Sequence, residues 1–552
     1  MSEIFLCQQS SLEKIFPDQT EFASGVSRAT ALRGERFSYQ IVLRRGGWGL
    51  RQHRWQIKSP PELTPKVYLV GTVPCDLAAY PEADLHDDDY LSLSGGLFPD
   101  ILRPVTPGLL ELSGFQNVTL WVELEVPKDC PAGTYELTCC VEGDEPGEQT
   151  ESTFCLEVIP AELPPQKLLF TQWFHVDCLA DHYGVPVYSE RHWELIERYL
   201  ATAAAHGQNV VLTPVLTPAL DTEVGTERPC TQLLDVEKQG DTYRFDFTKL
   251  LRFVSLALRC GVTHFELSPL FSQWGAAFAP NIYVTENGQR TRVFGWETAA
   301  DSPEYVRFLR QLVPALIGFF TEQGLRDRIF FHISDEPHER HLAMYEKHVE
   351  LLRSLTEGLP IIDALSSVEF YDRGTVQNPV VATDHIAPFI ERKVENLWAY
   401  YCCAQGRDVG NRFLAMPSTR NRILGQQLYK FRLQGFLHWG YNFWYSQNAR
   451  RKIDPYRTTD GGGAFPGGDP FSVYPGEDGE PVCALRLKVF HEALQDQRAL
   501  ELLETLKDRK TAEQLIEGYD DLTFDRYPRS AGAILSMRER VNLAIKEAVT
   551  TK

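Results

Sequence analysis

The chain has 552 residues, of which 43% are hydrophobic and 24% charged, and its formal net charge is -20 at pH 7. A chain of this length exceeds what one hydrophobic core usually supports, so we expect an ordinary soluble, globular protein of two or three domains. The negative charge argues against nucleic acid and anionic membranes as partners, because their phosphates would be repelled, and it favours a neutral or cationic ligand.

The first residues and the cysteines bear on location and metal content. No basic segment followed by an apolar core opens the chain, and no apolar run is long enough to cross a bilayer. We therefore expect a cytoplasmic protein with no signal peptide and no membrane partner. The twelve cysteines show no C-x-x-C spacing, which indicates reduced thiols and no zinc. The acidic run at residues 84–89 lacks the glycine and distal glutamate of a calcium loop, so no metal is assigned to it.

Residues 1–160 are predicted to form an N-terminal antiparallel β-sandwich. Apolar and polar residues alternate, as in half-buried strands, through Phe37–Leu43, Val118–Val126, Tyr135–Val141 and Phe154–Val158. The segment Pro160–Gln166 has three prolines in seven residues and is the best candidate for a linker.

Residues 167–480 alternate between strand-like and helix-like patterns. Eight strand-like runs are separated by helical segments: Leu168–His175, Asn209–Thr213, Thr263–Leu267, Arg328–Pro337, Pro360–Ala364, Val380–Thr383, Asn396–Tyr400 and Gly435–Trp439. This rhythm predicts a (β/α)8 TIM-type barrel. A doubly wound sheet is the alternative, but no Gly-rich phosphate loop follows any of these strands. Residues 481–552 carry amphipathic patterns at 484–506 and 530–548, which predict a helical C-terminal extension packed on the barrel.

The fourth predicted strand, Arg328–Pro337, ends in two adjacent carboxylates and a proline. Side chains alternate along a strand, so Asp335 and Glu336 would face opposite ways unless the chain already turns at its end. Pro337 favours such a turn, because proline cannot donate to a ladder and restricts the residue before it. Both carboxylates could then flank one ligand. The alternative is that Asp335 caps the next helix and Glu336 is solvated in its first turn.

The predicted carboxyl ends of the other strands, where the site of a barrel lies, are rich in aromatic and polar side chains. They comprise Trp173, His175, Asp363, Asp384, Trp398, Tyr400, Tyr401, Trp439, Tyr441, Asn442 and Trp444. Pyranose rings offer C–H faces for stacking and hydroxyls for hydrogen bonds, so this collection predicts a sugar cleft. For any single ring, a place in the core is the alternative. The Gly/Pro-rich segment Gly461–Pro470 precedes no helix and is predicted to be a surface loop or a lid over the cleft.

Three segments resemble glycoside hydrolase family 123, the β-N-acetylgalactosaminidases and related bacterial proteins. They are Phe331–Pro337, Gly435–Trp444, and Tyr474–Gly476 followed by Leu485–Lys488. The resemblance covers most of the chain, including a sandwich ahead of the barrel. It implies an exo-acting hydrolase that releases terminal β-linked N-acetylgalactosamine from a glycan or oligosaccharide. With it we expect no cofactor and no metal.

The resemblance also implies a retaining, substrate-assisted mechanism, in which the acetamido oxygen of the substrate attacks its own anomeric carbon. Glu336 would then be the general acid and afterwards the base, with its pKa raised by burial and by the charge of Asp335. Asp335 would stay ionised and orient the acetamido group. Substrate contacts are expected from His175, His332, Trp398, Tyr400, Tyr401, Trp439, Tyr441, Asn442 and Trp444.

Two other functions stay open. One is a glycosidase for another sugar, β-linked N-acetylglucosamine or a sugar without an acetamido group, in which Asp335 or Glu336 works with a distant carboxylate such as Asp363 or Asp384. The other is a catalytically silent barrel that binds carbohydrate. The sequence does not choose between two adjacent tyrosines, 400 and 401, as donor to the acetamido oxygen, nor does it give the linkage, the aglycone or the oligomeric state.

Overall fold

The computed structural model describes residues 4–143, 147–273, 275–337 and 339–550. The strands of its amino-terminal part are β1 (Ile4–Ser10), β2 (Arg28–Arg33), β3 (Arg36–Arg45), β4 (Leu50–Lys58), β5 (Lys66–Cys75), β6 (Gly96–Val105), β7 (Gly108–Ser113), β8 (Asn117–Glu125), β9 (Gly133–Glu142) and β10 (Gln149–Glu162). They form two five-stranded sheets, ordered β1-β3-β8-β5-β6 and β2-β10-β9-β4-β7.

The two sheets share one hydrophobic core, to which β3, β8, β9 and β10 contribute the apolar residues that alternate in the sequence. Within it Tyr39 and Phe154 stack with their ring centroids 4.2 Å apart. One pairing departs from the predicted antiparallel arrangement, because β2 runs parallel to β10. Alternation of apolar residues shows that a strand is half buried but carries no information about the direction of its neighbour.

The chain beyond residue 162 mixes strands and helices. The strands are β11 (Leu169–Gln172), β12 (Val210–Thr213), β13 (Asp235–Gln239), β14 (Thr242–Asp246), β15 (His264–Leu267), β16 (Ile282–Glu286), β17 (Gln289–Phe294), β18 (Ile329–Phe330), β19 (Ile362–Leu365), β20 (Asn378–Ala382), β21 (Trp398–Tyr400), β22 (Gly435–His438), β23 (Val473–Pro475) and β24 (Pro481–Cys483). The helices are α1 (Val176–Tyr183), α2 (Glu190–Ala205), α3 (Thr248–Cys260), α4 (Pro303–Glu322), α5 (Leu342–Thr356), α6 (Glu369–Asp372), α7 (Ala387–Glu391), α8 (Thr419–Arg422), α9 (Leu424–Lys430), α10 (Leu485–Leu506), α11 (Arg509–Glu513) and α12 (Ala531–Thr550).

Two parallel sheets position the site. One is ordered β12-β15-β18 and the other β11-β22-β21-β20-β19. They adjoin at two seams: Phe331, just after β18, forms a parallel bridge with Ile361, and the Asn209 N–H donates to the Phe170 carbonyl at 3.1 Å. Side chains from strands of both sheets meet in one core that includes Leu212, Phe330, Ala364, Val380, Trp398 and Leu437.

A four-stranded sheet, ordered β14-β13-β16-β17, lies in the connections that follow β12 and β15. The sequence patterns predict no strand in either connection. The strands β13, β14 and β17 are largely exposed, so they lack the apolar pattern that marks the other strands.

The helices α10 and α12 agree with the two predicted C-terminal helices. Buried ion pairs join α10 to the sandwich: Arg486 Nε lies 2.9 Å from Asp100 Oδ1, and Lys488 Nζ lies 2.6 Å from Glu123 Oε2. In the described part of the chain, the longest and most apolar helices fall short of what a membrane crossing requires.

Candidate active site

The chain turns sharply where the fourth predicted strand ends. The ladder stops after Phe331, and Glu336 adopts a left-handed backbone conformation with φ of +44°. Its N–H donates to the Ala364 carbonyl at 3.2 Å, which anchors the turn to the end of β19. A left-handed conformation costs a residue with a side chain about 1–2 kcal/mol. The turn removes the parity conflict, and both Asp335 and Glu336 line the same cavity.

This cavity holds about 640 Å³ of empty space, including its open mouth. Both predicted catalytic residues, Asp335 and Glu336, and three of the predicted substrate contacts, His175, Tyr400 and Trp439, lie on its wall. The wall is completed by Trp173, Leu220, Asp221, Gln273, Ala364, Cys402, Cys403, Leu437 and Phe465. The cavity therefore combines carboxylates with aromatic rings.

Tyr400, on β21, differs from its neighbour by its contact with Glu336. The Tyr400 hydroxyl donates to Glu336 Oε1 at 2.8 Å, whereas the Tyr401 hydroxyl points away and donates to Asn421 Oδ1 at 3.0 Å. Successive side chains on a strand face opposite ways, so only one of the two can reach the cavity. The hydrogen bond orients the Glu336 carboxyl group at the cavity wall.

Burial raises the pKa of Asp335 well above its ordinary value, and the neighbouring Glu336 carboxylate raises it further. The positive charge of His332 acts in the opposite direction without cancelling these effects. Two adjacent carboxyl groups that face one cavity cannot both ionise easily. The pair therefore retains a proton at a pH where exposed carboxyl groups have lost theirs.

His332 is held between two buried carboxylates. Its Nε2 lies 2.6 Å from Glu266 Oε1 and its Nδ1 lies 2.9 Å from Asp363 Oδ1. Burial alone lowers the pKa of His332, but the two carboxylates outweigh it and raise that pKa to about 10. Asp363 also accepts from the Tyr345 hydroxyl, and Glu266 from the Trp173 indole at 2.8 Å. This buried triad ties the ends of β15, β18 and β19 together close to Asp335.

The imidazole ring of His175 on the cavity wall is neutral and is held in place by hydrogen bonds. Burial and the adjacent Arg228 guanidinium lower the pKa of His175 to about 3. His175 Nε2 donates to the Trp439 carbonyl at 3.0 Å, and Nδ1 accepts from Arg228 Nη2 at 3.1 Å. Arg228 in turn pairs with Asp177, with Nε 2.7 Å from Oδ2. These contacts set the tautomer of the imidazole that faces the cavity.

The Gly/Pro-rich segment, for which the sequence predicts a surface loop or a lid, contributes one residue to the cavity wall and one that supports it. Phe465 lines the cavity and lies edge-on to Trp439, with ring centroids 5.1 Å apart. The Trp439 indole donates to Asp469 Oδ2 at 2.9 Å. The segment therefore holds the tryptophan in place as well as covering it.

Six of the predicted substrate contacts lie away from the cavity wall: His332, Trp398, Tyr401, Tyr441, Asn442 and Trp444. All six are buried. Trp398 packs in the core between the parallel sheets, and Asn442 bonds both backbone groups of His175, at 2.9 and 3.0 Å. Tyr441 and Trp444 donate to the carbonyls of Tyr199 and Val473, at 3.0 and 3.2 Å. The sequence pattern does not separate residues that face the cavity from those that support it, because both kinds are polar or aromatic and follow the same strands.

Asp221 is a carboxyl group on the cavity wall that the sequence pattern does not indicate. It lies in the long connection after β12, accepts from the Asn448 N–H at 3.0 Å, and burial raises its pKa to about 6. No periodic pattern or motif surrounds it in the sequence. Among the described residues, no group of three or more His, Cys, Asp or Glu side chains is arranged to hold a metal ion.

Comparisons with known proteins identify the family of the chain. Among solved structures, a family 123 glycoside hydrolase from Clostridium perfringens, studied for its hydrolysis of glycolipid glycans, superposes with a TM-score of 0.73 at 14% identity, over 100% of this chain and 98% of that one. Bacteroides uniformis β-glucuronidase 3 superposes with a TM-score of only 0.30 at 11% identity, over 89% of this chain and 51% of that one. Comparison with curated proteins gives no match. The family model of the glycoside hydrolase 123 catalytic domain matches residues 173–503, more than half of the chain, and the protein therefore belongs to glycoside hydrolase family 123.

Proposed function

We propose that this protein is an exo-acting hydrolase that releases terminal β-linked N-acetylgalactosamine by a retaining, substrate-assisted mechanism. The observation that carries the proposal is the position of two consecutive carboxyl groups, Asp335 and Glu336, on the wall of one cavity. A conventional retaining enzyme places its nucleophile across the sugar ring from the acid, about 5 Å away. Two neighbours at one turn suit a substrate that brings its own nucleophile.

Each side chain then has a separate task. The acetamido oxygen attacks the anomeric carbon while Glu336 gives its proton to the departing glycosidic oxygen, so that the glycosidic bond breaks and an oxazolinium forms. Asp335, ionised once substrate is bound, accepts from the acetamide N–H and balances the positive charge on that group. Water next adds to the anomeric carbon, the bond between that carbon and the acetamido oxygen breaks so that the acetamide is restored, and the water gives a proton back to Glu336. Configuration is retained because two inversions occur.

The pKa of Asp335 bears on where the shared proton lies. In the empty cavity the raised pKa of Asp335 favours retention of one proton by the pair. The proposed reaction needs that proton on Glu336. A hydrogen bond from the acetamide N–H would stabilise the ionised form of Asp335 and so move the proton to its neighbour. Substrate binding would thus prepare the acid, and we expect a sugar without the acetamido group to react poorly.

The cavity contacts also suggest how the sugar is held. Trp439 and Phe465 offer rings for stacking, and the Tyr400 hydroxyl lies where it can bond the Glu336 carboxyl and the acetamido oxygen in turn. His175, whose two ring nitrogens already bond Trp439 and Arg228, offers the carbon atoms of its ring for packing against the sugar. We assign these residues to substrate binding.

We also propose a fold for the catalytic region. The parallel strands follow one another in the order β11, β12, β15, β18, β19, β20, β21 and β22, and β22 pairs with β11. We assign this region, residues 167–480, to a (β/α)8 catalytic barrel, preceded by the sandwich at 1–160 and followed by a helical extension at 481–552.

A second candidate is a glycosidase for a sugar without an acetamido group. It is favoured by one observation, the presence of a third carboxyl group, Asp221, on the same cavity wall. In that case Asp221 would be the protein nucleophile. The carboxylate Asp363 is excluded from this role by its contacts, because it is wholly buried and bonded to His332 and Tyr345.

Inhibition and substrate choice separate the two candidates. We expect a thiazoline of N-acetylgalactosamine to inhibit competitively. We also expect p-nitrophenyl β-N-acetylgalactosaminide to be cleaved at least about a hundredfold faster than p-nitrophenyl β-galactoside, because the galactoside lacks the acetamido nucleophile. Equal rates on the two glycosides, with no inhibition by the thiazoline, would rule out the substrate-assisted route. Asp221→Asn then decides the alternative, because loss of a nucleophile abolishes turnover whereas loss of a binding contact weakens it.

A further inference from the structure

Two aromatic rings are exposed at one end of the sandwich. Trp48, in the loop between β3 and β4, is 89% exposed, and Phe115, in the loop between β7 and β8, is 56% exposed. The rings meet edge to face with their centroids 5.6 Å apart, and Leu50, two residues after the tryptophan, is exposed as well. These side chains lie outside the wall of the catalytic cavity. Single exposed apolar residues are ordinary on a protein surface, but a group of large ones in contact marks a binding surface.

The two loops that carry the rings are fixed to each other and to the sheet. The Gly114 N–H donates to the Gly49 carbonyl at 3.0 Å, and the Phe115 N–H donates to the Arg45 carbonyl at 2.9 Å. The guanidinium of Arg45, which is buried, donates to the Trp48 carbonyl at 3.3 Å. The rings therefore project from an ordered base, and a ligand that binds them pays little for the ordering of these loops.

Polar side chains continue from the rings along the outer face of the sheet. Gln52 on β4 lies opposite Glu111 on β7, and Arg54 follows on the same face, since side chains alternate along a strand and His53 between them is buried. The Gln52 amide donates to Glu111 Oε1 at 3.2 Å, and Arg54 Nε lies 3.6 Å from Glu142 Oε2. Amide, carboxylate and guanidinium groups thus form a row that begins at the aromatic pair.

A row of this kind matches the chemistry of a sugar chain. Its C–H faces stack on rings and its hydroxyls bond planar polar groups, and the span from Leu50 to Arg54, about 13 Å, is longer than one sugar ring. The exposed charges balance, with two arginines and two glutamates: Arg51, Arg54, Glu111 and Glu142. We propose that this outer face of the sandwich is a second, non-catalytic site that binds a neutral oligosaccharide chain.

The site adds a function to the one proposed for the catalytic cavity. A glycan bound on the sandwich stays close to the enzyme, which raises the local concentration of its sugars around the catalytic region. A lipid surface or a protein partner fits this face less well. Both would cover the charged and amide groups beside the rings without replacing all of their hydrogen bonds to water.

Calorimetry with neutral hexasaccharides of β-linked glucose, galactose and N-acetylglucosamine tests the site. We expect at least one of the three to bind, and Trp48→Ala to weaken that binding at least about tenfold, as truncation of an aromatic anchor does. Trp48→Tyr keeps a ring and should restore most of the affinity. Gln52→Ala should weaken binding about threefold through a lost hydrogen bond. The matched control is Leu543→Ala, which removes an apolar side chain 46% exposed on α12 and should leave the affinity unchanged.

Turnover separates this site from the catalytic cavity. Trp48→Ala should leave kcat/KM for p-nitrophenyl β-N-acetylgalactosaminide unchanged, because Trp48 lies outside that cavity. No affinity for any of the three hexasaccharides, or an affinity that Trp48→Ala leaves intact, would overturn the inference. Binding to phosphatidylcholine vesicles that depends on Trp48, without any binding of glycan, would also overturn it and identify a lipid contact. These outcomes leave the proposed function standing, since that is judged by the release of N-acetylgalactosamine.

Discussion

Asp335 and Glu336 are neighbours in the chain and face one cavity, so each changes the proton affinity of the other. Their protons leave in two steps that belong to the pair and not to either residue. Burial raises the pKa of Asp335, and the charge of Glu336 adds to that rise. The proposed reaction requires one proton on the pair, so its singly protonated form is the active one.

We therefore expect kcat/KM to follow a bell-shaped dependence on pH. Activity falls at low pH when the pair takes up a second proton, and it falls at high pH when the pair loses its last one. The ordinary pKa of a carboxyl group is around 4. Because the pKa of Asp335 is raised, the fall in activity on the alkaline side should lie above that value. In Asp335→Asn the remaining carboxyl group no longer faces a negative neighbour, so the alkaline fall of its residual activity moves to lower pH. Initial rates on the p-nitrophenyl substrate measure this, and an unshifted alkaline limb would contradict it.

At the scale of the elements, a close approach between β21 and β22 fixes the packing of Trp398. Gly435 lies opposite Trp398 in the parallel pairing, and a Cβ at Gly435 would come within 2.1 Å of the indole. No side chain can be accommodated there without moving the tryptophan, which fills the core between the parallel sheets.

Gly435→Ala should therefore destabilise the protein by about 1–3 kcal/mol, the usual effect of overpacking a core. Gly532→Ala is the matched control, because a Cβ at Gly532 in α12 meets no atom within 4 Å. In a helix that change is neutral or stabilising by up to about 1 kcal/mol. Chemical denaturation measures the free energy of unfolding of both variants. Equal values would contradict the expectation and show that β22 moves to make room for the added methyl group.

The buried triad of Glu266, His332 and Asp363 makes stability depend on pH. The folded pKa of His332 is raised from an ordinary 6.5 to about 10, so the stabilisation is fully present below pH 6.5 and is lost as pH rises through about 10. His332→Gln leaves two buried carboxylates without their cation and should cost about 3–5 kcal/mol at neutral pH. Its stability should also change less between pH 7 and 10 than that of the native protein. Thermal unfolding across this range tests the expectation, which fails if the two slopes agree.

The sequence indicates where the strands lie but not which side of a strand faces the cavity. The eight strand-like runs coincide in position with the parallel strands, because strands buried on both sides are continuously apolar. The same property hid the distinction between Tyr400 and Tyr401, since both faces of β21 are buried. The sheet of β13, β14, β16 and β17 was missed because its pairing joins two distant connections and depends on tertiary structure. Asp221 could not be found for a related reason, as its connection carries no pattern.

Across the whole molecule, the sandwich is attached to the catalytic region by buried charges and reaches the loops near the site. Besides the pairs on α10, the Tyr90 hydroxyl donates to the Gly406 carbonyl at 2.8 Å, and Asp87 Oδ2 accepts from the Asp408 N–H at 2.7 Å. These contacts hold the connection after β21, which supplies Cys402 and Cys403 to the cavity. The amino-terminal sheets therefore support the geometry of the site.

Breaking one of these buried pairs should loosen the attachment. Asp100→Asn leaves the Arg486 guanidinium buried without its carboxylate and should destabilise the protein by about 3–5 kcal/mol. Glu190→Gln, which removes an exposed partner of Arg252, serves as the control and should cost less than about 1 kcal/mol. Denaturation followed by intrinsic fluorescence compares the two, and similar small effects would mean that Arg486 finds another partner.

The left-handed backbone conformation of Glu336 has opposite consequences for the proposed activity and for the stability of the fold. Glycine adopts this conformation without steric penalty, so Glu336→Gly should relieve the backbone strain even as it removes the proposed acid. Selection for folding alone would favour glycine at this position. The presence of glutamate there indicates a trade-off in which the protein gives up some stability so that two neighbouring carboxyl groups can line one cavity.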